Sequence, residues 1–339
     1  MALGAASAFG GETLSYFCYH SLAGAGRRGP QSEMASNFFI VNPAAGHGRA
    51  LGFWNALRER ALRLAPGSGF AVTDRPGGAA ALAEEAVRGG AEKVIAVGGD
   101  GTLREALEGM MAAPESLRLR SALGAFPAGS GCDLARHLGC PRDPDGLLGM
   151  LARGRSRPID AGRVDFTGED GSPATRHFIN IAAFGLAGDV ARHIKGMGKP
   201  FGGTVSYAVS SLLSILGARA RAIALRADGV EIEGRFHLGV LANTSSMGGG
   251  MLVAPGARDD DGLMDLVLVA DMSRPALIGK FPLIYKGKHI GSPGVSRISL
   301  RRLEVYSEEP VCLNIDGEAE GMLPAVFETL PRAVNVLFP

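Results

Sequence analysis

The stretch Val94-Ile95-Ala96-Val97-Gly98-Gly99-Asp100-Gly101-Thr102 decides the fold, because an apolar run meets a cluster of glycines and a helical pattern follows at once. The apolar part is typical of a buried strand. In an open α/β sheet, ligands lie at the carboxyl ends of strands, where glycines let the backbone approach phosphates and a helix N-terminus offers N–H groups. The stretch therefore predicts a phosphate-binding turn. The alternative is a plain turn in which Asp100 caps the helix.

Two further glycine turns follow strand-like runs in the first half of the chain. Asn42-Pro43-Ala44-Ala45-Gly46 comes after one run, and Gly129-Ser130-Gly131-Cys132-Asp133 comes after another. Three such turns on neighbouring strands of one sheet would converge on one crevice, which favours a nucleotide site. The chain has no Gly-Lys pair followed by Ser or Thr, so a Walker A loop is excluded and the phosphates must be held differently.

The pattern around these turns alternates between short apolar runs and longer amphipathic ones, which predicts a parallel sheet covered by helices. The strands are expected at 38–41, 70–73, 93–97 and 121–126, and the helices at 49–64, 79–88, 102–111 and 130–138.

Beyond about residue 157 the pattern becomes rich in strands separated by turn residues, which predicts a mostly antiparallel β-sandwich. Strands are expected at 159–166, 177–183, 222–227, 235–242, 263–269, 296–307, 311–315 and 332–338, with only two helices, near 203–217 and 274–285. The predicted fold class is α/β plus β. The expected domains are 37–158, completed by a C-terminal strand at 331–339, and 159–330.

Residues 1–36 are rich in small residues and show neither helical nor strand periodicity, so we interpret them as a tail. Met34 precedes the first strand by three residues, so an overcalled start is an alternative. The tail contains Gly24-x-Gly26-x-x-Gly29, but no strand precedes it and Pro30 follows it, which argues against a dinucleotide-binding turn.

Composition excludes several classes of protein. The 50 glycines show no three-residue period, which excludes collagen. The net charge of +1 argues against nucleic-acid binding, which needs a strong basic patch. Four scattered cysteines predict reduced thiols rather than a disulfide framework. No apolar run reaches the roughly 20 residues that cross a bilayer. These features favour a cytoplasmic protein.

Five blocks, in order, resemble the diacylglycerol kinase catalytic-domain family, which includes bacterial lipid kinases and the sphingosine and ceramide kinases. They are Asn42-Pro43-x-x-Gly46, Gly98 to Thr102, Gly129 to Arg136, the segment from Asn243 through Gly248-Gly249-Gly250 to Asp265, and Asn314-Ile315-Asp316-Gly317-Glu318. The resemblance covers essentially residues 37–339. It implies a first domain similar to phosphofructokinase and NAD kinase, with the active site in the cleft between the two domains.

The resemblance also implies a set of nucleotide-binding residues and an ATP- and Mg²⁺-dependent reaction. ATP would be held by Asn42, Pro43, Gly46, Thr73, Gly98, Gly99, Asp100, Gly101, Thr102, Glu105, Gly129, Ser130 and Asp133. A lipid hydroxyl attacks a phosphate well only when a base accepts its proton.

The family's Asp-Gly-Glu block maps to Asp316-Gly317-Glu318, with one of its carboxylates as that base. On an extended stretch the two side chains would point the same way. The alternative is an exposed hairpin turn, since Asp-Gly is a strong hairpin signal.

Further acids are assigned by resemblance to metal binding. Asp100, Asp133 and Asp160 are candidates for the metal and charge network. A second, structural Mg²⁺ site would use Asp261 with the backbone carbonyls of Arg258 and Leu263. The alternative for the second site is a solvated acidic turn, because its spacing is not that of an EF-hand loop.

The expected substrate is a lipid alcohol at a membrane surface, most simply diacylglycerol, and the alternatives are a sphingoid base or another lipid alcohol. Cys132 stands where the family usually has Asn, Ser130 where it has Thr, and His47 where soluble members often have Lys. These departures keep open a nucleotide-binding regulatory protein without turnover. The basic-flanked apolar stretch 195–221 is the expected site of peripheral contact with the inner face of the membrane, with a helix packed on the sandwich as the alternative. A homodimer is left open.

Overall fold

The structure, a computed structural model, describes residues 37–64, 67–128, 132–197 and 217–339, with residues 193–197 described by their backbone alone. The statements that follow concern these residues. The tail 1–36, the predicted nucleotide ligands Gly129 and Ser130, and nearly all of the stretch expected to contact the membrane beyond residue 197 lie outside them.

The described residues form fourteen strands and eight helices. The strands are β1 (Asn37–Val41), β2 (Gly69–Val72), β3 (Lys93–Gly98), β4 (Ala122–Pro127), β5 (Ser156–Thr167), β6 (Pro173–Phe178), β7 (Ile181–Gly185), β8 (Arg221–Ala227), β9 (Val230–Ala242), β10 (Met264–Ala270), β11 (Val295–Leu300), β12 (Arg302–Tyr306), β13 (Cys312–Ile315) and β14 (Glu318–Leu337). The helices are α1 (Arg49–Leu64), α2 (Gly78–Arg88), α3 (Asp100–Ala112), α4 (Glu115–Arg118), α5 (Asp133–His137), α6 (Pro144–Arg153), α7 (Leu186–Met197) and α8 (Arg274–Ile284).

The first part of the chain is a parallel sheet in the order β2-β1-β3-β4, extended by the end of β14, where Val336 pairs with Leu123. Helices cover both faces, as the alternating pattern predicts. Leu107 and Met110 of α3 belong to the core on one face, and Trp54 of α1 lies in the core on the other. Burial on both faces explains why these strands are apolar throughout. The three glycine turns leave the carboxyl ends of adjacent strands.

The second part is antiparallel and has two layers. One layer contains β11, β10, β7 and β13, and the other contains β8, β12, β5 and β6. The long strands β9 and β14 belong to both layers. The second half of β9 pairs with β10 and its first half with β8, whereas the start of β14 pairs with β13 and its middle with β12. Apolar side chains from both layers, such as Phe184 and Phe327, form the core between them.

Strands β5 and β14 join the two parts. Their antiparallel pairing runs from Ser156 opposite Leu337 to Thr167 opposite Met322, with an irregularity between Leu330 and Val334. The domain limits expected at 158 and 330 therefore fall inside two continuous strands. The paired strands β5 and β14, rather than a flexible linker, fix the position of the glycine turns relative to the β-rich part.

Two expected strands are each divided in two, for the same physical reason. The expected strand at 177–183 breaks at Ile179 and Asn180, whose N–H groups donate to the Asp316 carboxylate. The expected strand at 296–307 breaks at Arg301, whose N–H donates to Asp228. A side-chain acceptor takes the place of the neighbouring strand in both cases.

The helix expected at 274–285 is α8, and the helix expected near 203–217 lies outside the described residues. The helix α7, which follows β7 directly, was not predicted. The helix α6 was also not predicted. None of the helices in the described ranges combines the length and apolar character needed to span a bilayer.

Candidate active site

The turn between β3 and α3 is tied to the turn after β1. The Asn42 Nδ2 group donates to Thr102 Oγ1 at 3.0 Å, and the Asn42 side-chain oxygen accepts the N–H of Ala44 at 3.0 Å. A Cβ on Gly98 would lie 2.4 Å from Thr102 Oγ1, so only glycine leaves room for the Thr102 side chain there. Asn42 and Thr102 thus hold two of the three glycine turns in one arrangement.

The N-terminus of α3 faces open space. A Cβ on Gly99 would have no heavy atom within 4 Å, and one on Gly101 would meet only the Glu318 carboxylate, at 3.7 Å. The first N–H groups of a helix have no partner within the helix. This arrangement of open space, free N–H groups and the positive end of the helix dipole fits a phosphate.

The Asp100 carboxylate accepts backbone N–H groups at the N-terminus of α5. Its two oxygens accept the N–H groups of Cys132 and Asp133, each at 2.7 Å. Burial, followed by the negative charge of Asp133, raises the pKa of the Asp100 carboxyl to about 6, against the effect of these two hydrogen bonds. The structure therefore gives Asp100 a positioning role, since it ties the start of α5, at Cys132 and Asp133, to the N-terminus of α3.

Asp133 connects α5 to the β-rich part of the chain. One oxygen is paired with Arg136, and the other accepts the N–H of Gly249 at 3.2 Å. Gly249 lies in the glycine loop at 248–250, where all three residues have positive φ. Burial raises the pKa of Asp133, although these hydrogen bonds and Arg136 oppose it. This contact makes the glycine loop a wall of the site.

Asp316 lies in a tight turn and is not on an extended stretch. Asp316 and Gly317 have φ values of 46° and 93°, and Ile315 pairs with Glu318 across the turn. The hairpin alternative is right about the turn but wrong about its exposure, because only 6% of Asp316 is exposed. The expectation that Asp316 and Glu318 project together from one strand is therefore wrong.

The Asp316 side chain is held by the protein's own backbone. It accepts three N–H groups, from Ile179, Asn180 and Ile181, each at 2.9 Å. Burial raises the pKa of Asp316 to about 6, and the charge of Asp100 contributes to the rise. Carboxyl groups with raised pKa values gather at functional sites. The structure thus brings Asp100, Asp133 and Asp316 into one electrostatic group.

Glu318 is the carboxylate that faces the phosphate-binding turn. It begins β14 directly after the turn, is half-buried, and its Oε1 atom approaches the position of a Cβ on Gly101. Within the described ranges no backbone N–H donates to its oxygens, whereas Asp316 accepts three. Glu318 is therefore the better placed of the two predicted bases.

An ion-pair network next to Glu318 was missed by sequence reasoning. Arg104 of α3 contacts Glu320 at 3.0 Å, and Arg176 of β6 lies 3.6 Å from the same carboxylate. Arg104 and Glu320 are 216 positions apart, so no local pattern relates them. Their pairing fixes the start of β14 against α3, and with it the position of Glu318.

The other predicted nucleotide ligands line the edge of the sheet nearest β2. The Thr73 N–H donates to Val41, and the Glu105 carboxylate accepts the N–H groups of Gly77 and Ala79 at the start of α2. Pro43 and Gly46 form the turn after β1, and the Gly46 carbonyl accepts from Arg49. Contact of these residues with a nucleotide stays a prediction.

The residues predicted for the second metal site lie together in a different loop. Asp261 accepts the N–H of Leu263 at 3.1 Å, and Arg258 is paired with Asp260. Asp160 is fully buried, holds this loop through the N–H of Gly262, and also accepts the N–H of Arg332 in β14. The structure therefore places Asp160 with the loop and not with Asp100.

Among the described residues, no group of three or more His, Cys, Asp or Glu side chains could hold a metal ion. Neither predicted metal position, at Asp100 or at Asp261, therefore has three such described side chains around it. A divalent ion at either place would need most of its ligands from elsewhere.

Two family models match this chain. Residues 36–164 match the diacylglycerol kinase catalytic domain, and residues 180–338 match the YegS C-terminal NAD kinase beta sandwich-like domain. The diacylglycerol kinase of Bacillus subtilis (strain 168) is 31% identical over 79% of this chain and 84% of its own length. That of Staphylococcus aureus (strain NCTC 8325 / PS 47) is 31% identical over 79% and 81%.

Solved structures show the same fold. One from Bacillus anthracis str. Sterne covers 91% of this chain and 99% of its own, with 22% identity and a TM-score of 0.74. Another from that organism, described as a diacylglycerol kinase, covers 91% and 98%, with 19% identity and a TM-score of 0.67. The catalytic-domain match, the C-terminal match and the curated relatives together lead to one conclusion: the chain belongs to the diacylglycerol kinase family and is a lipid kinase.

Proposed function

We propose that this chain transfers the γ-phosphate of ATP to the hydroxyl of a membrane lipid, and that the lipid is diacylglycerol, which would become phosphatidic acid. The observation that carries the proposal is the position of the Glu318 carboxylate at the open N-terminus of α3. A phosphate site and a general base are the two parts that phosphoryl transfer to an alcohol requires. The names of the relatives support diacylglycerol as the acceptor.

Each residue has a separate task in this proposal. The backbone at Gly99 and Gly101 receives the phosphates of ATP, and the Asn42–Thr102 pair keeps the turns in place. ATP supplies the phosphoryl group and leaves as ADP. Glu318 accepts the proton of the lipid hydroxyl at a carboxylate oxygen as the oxygen–phosphorus bond forms. Asp100 and Asp316 position the turns, because their oxygens accept backbone N–H groups.

We also propose that Mg²⁺ takes part as a complex with the nucleotide. Mg²⁺ commonly keeps several waters and binds through one or two carboxylates together with phosphates of the substrate. This mode fits the described residues, among which no group of three or more His, Cys, Asp or Glu side chains could hold a metal ion. A chelator should therefore stop transfer while the urea midpoint stays unchanged, and a large loss of stability on chelation would instead indicate a structural ion.

The departure from the family pattern at Cys132 is compatible with turnover. Cys132 contributes its backbone N–H to Asp100, with φ of 90°, and its side chain is buried. Burial raises the pKa of the Cys132 thiol well above its ordinary value, so it stays neutral. Cys132 therefore contributes backbone geometry and packing, and neither contribution needs the side-chain amide of Asn.

The test is transfer of radiolabelled phosphate from ATP to an extracted lipid mixture, followed by separation of the products. A labelled phosphatidic acid supports the proposal. A labelled sphingoid-base phosphate, or another phosphorylated lipid alcohol, would replace diacylglycerol as the substrate. No labelled lipid, together with intact nucleotide binding, would point to a regulatory protein. The matched control is Glu318→Gln, which removes the base and keeps the size of the side chain.

A further inference from the structure

Helix α8 has apolar side chains that the protein does not cover. Leu277 is buried, and Phe281 is half-buried and packs against the core. Leu283 is also half-buried, whereas Ile278 and, directly after the helix, Tyr285 are 36% and 39% exposed. A helix at the surface of a globular protein usually turns its apolar residues to the core and its polar residues to water. The outer side of α8 departs from this rule because it exposes apolar side chains to water, and we therefore expect an apolar partner to cover it.

The charges within residues 274–290 are all of one sign. Arg274, Lys280, Lys286 and Lys288 lie within residues 274–290, and no Asp or Glu occurs in that range. The chain as a whole has 35 Lys and Arg against 34 Asp and Glu, so the excess of positive charge is specific to residues 274–290. Exposed apolar side chains beside basic ones are the combination that binds the surface of an anionic bilayer. A second copy of this chain would cover the apolar residues but would bring its own basic residues close to these, and like charges repel.

We propose that residues 274–290, which we name the α8 surface, dock this protein on an anionic lipid bilayer. The inference rests on the proposed function, because a lipid acceptor lies in a membrane. It places membrane contact on a described helix, distinct from the stretch 195–221 expected from the sequence.

The α8 surface is connected to the active site through a short chain of contacts. The N–H of Leu252 donates to the Ile284 carbonyl at 3.0 Å, and His289 contacts the Val253 carbonyl at 3.0 Å. These residues directly follow the glycine loop, whose Gly249 N–H donates to Asp133. Docking through α8 would therefore bring the bilayer next to the loop that forms a wall of the site.

The experiment measures flotation of the full chain with phosphatidylcholine vesicles, with and without phosphatidylglycerol. Wild type should bind the phosphatidylglycerol vesicles and release as salt is raised, because salt screens surface charge. The double variants Ile278→Ser/Tyr285→Ser and Lys280→Glu/Lys286→Glu should each lower the partition by about tenfold or more, since each basic residue near an anionic surface contributes about 1 kcal/mol.

Matched controls use exposed residues elsewhere in the β-rich part. Val230→Ser/Tyr306→Ser removes two side chains that are 64% and 55% exposed at strand ends, and Arg226→Glu reverses one exposed charge on β8. These variants should bind vesicles as wild type does. All variants should keep the urea midpoint of wild type, and their transfer to short-chain diacylglycerol in detergent should be unchanged.

The outcomes separate this proposal from the function on which it rests. Unchanged vesicle binding in both α8 variants, or equal losses in the controls, would overturn docking through α8. A dimer that the Ile278→Ser/Tyr285→Ser variant converts to monomer without vesicles would also overturn it, because a second copy would then cover the surface. Wild type that binds vesicles but transfers no phosphate in detergent would overturn the kinase function alone.

Discussion

Two neighbouring glycines in the phosphate-binding turn should respond to the same substitution in opposite ways. In Gly98→Ala the new Cβ would lie 2.4 Å from Thr102 Oγ1 and 2.7 Å from Thr102 Cβ, so the threonine must move and its bond with Asn42 must weaken. In Gly99→Ala the new Cβ meets no heavy atom within 4 Å. The backbone at Gly99, with φ of −112°, suits an alanine.

The expected stability changes follow from these distances. Crowding a packed position costs about 1–3 kcal/mol, and the weakened Asn42–Thr102 bond adds about 1 kcal/mol. Replacing glycine by alanine returns about 0.4–1 kcal/mol through the unfolded chain. Gly98→Ala should therefore lower the free energy of unfolding by about 2 kcal/mol. Gly99→Ala should leave it unchanged or raise it slightly.

Nucleotide affinity should respond in the opposite way, because Gly99→Ala, which leaves the fold stable, should weaken binding. The methyl group in Gly99→Ala projects into the open space where the phosphates are proposed to lie, so we expect nucleotide affinity to fall about tenfold or more, which corresponds to about 1.4 kcal/mol. Urea denaturation measures the first effect and titration with a fluorescent ATP analogue the second. Normal nucleotide affinity in a stable Gly99→Ala variant would refute the placement of phosphates at this turn.

Three further predictions concern carboxylates. Glu318→Gln should lower the rate of phosphate transfer about 10²–10⁴-fold with an unchanged urea midpoint, as expected for loss of a general base; a wild-type rate would remove Glu318 from the mechanism. Burial opposes ionisation of Asp259, but hydrogen bonds from His137 and Arg157 outweigh it and lower its pKa to about 2. Because the folded-state pKa lies below the ordinary value, the ionised carboxylate stabilises the fold above about pH 4, and this stabilisation is lost as the pH falls toward 2. Asp259→Asn should therefore lower the free energy of unfolding by about 2 kcal/mol at pH 7 and by progressively less in acid. A loss of stability that does not depend on pH would contradict the ion pair. Glu105→Ala removes both acceptors of the α2 N-terminus and should cost about 1 kcal/mol in urea denaturation; an unchanged midpoint would show that the cap contributes nothing.

Local sequence was sufficient for the architecture of the first half. The apolar run before Gly98 and the helical pattern after it predict a strand, a turn and a helix, and the structure has β3, the turn and α3 there. Periodicity and turn residues act over a few positions, so they can be read without knowing what the segment packs against. The same reasoning failed at 177–183, because the acceptor that breaks this strand, Asp316, lies about 135 positions away.

The roles of the acids were decided by tertiary structure. Asp100, Asp316 and Glu318 all belong to recognisable motifs, but the sequence does not show that the first two accept backbone N–H groups while Glu318 faces α3. Every residue except proline carries a backbone N–H, so such a donor leaves no sequence signal. The motifs therefore determined which acids come together. Only the packing of two distant segments against each other decided that Asp100 and Asp316 position the backbone, whereas Glu318 is available to contact a substrate.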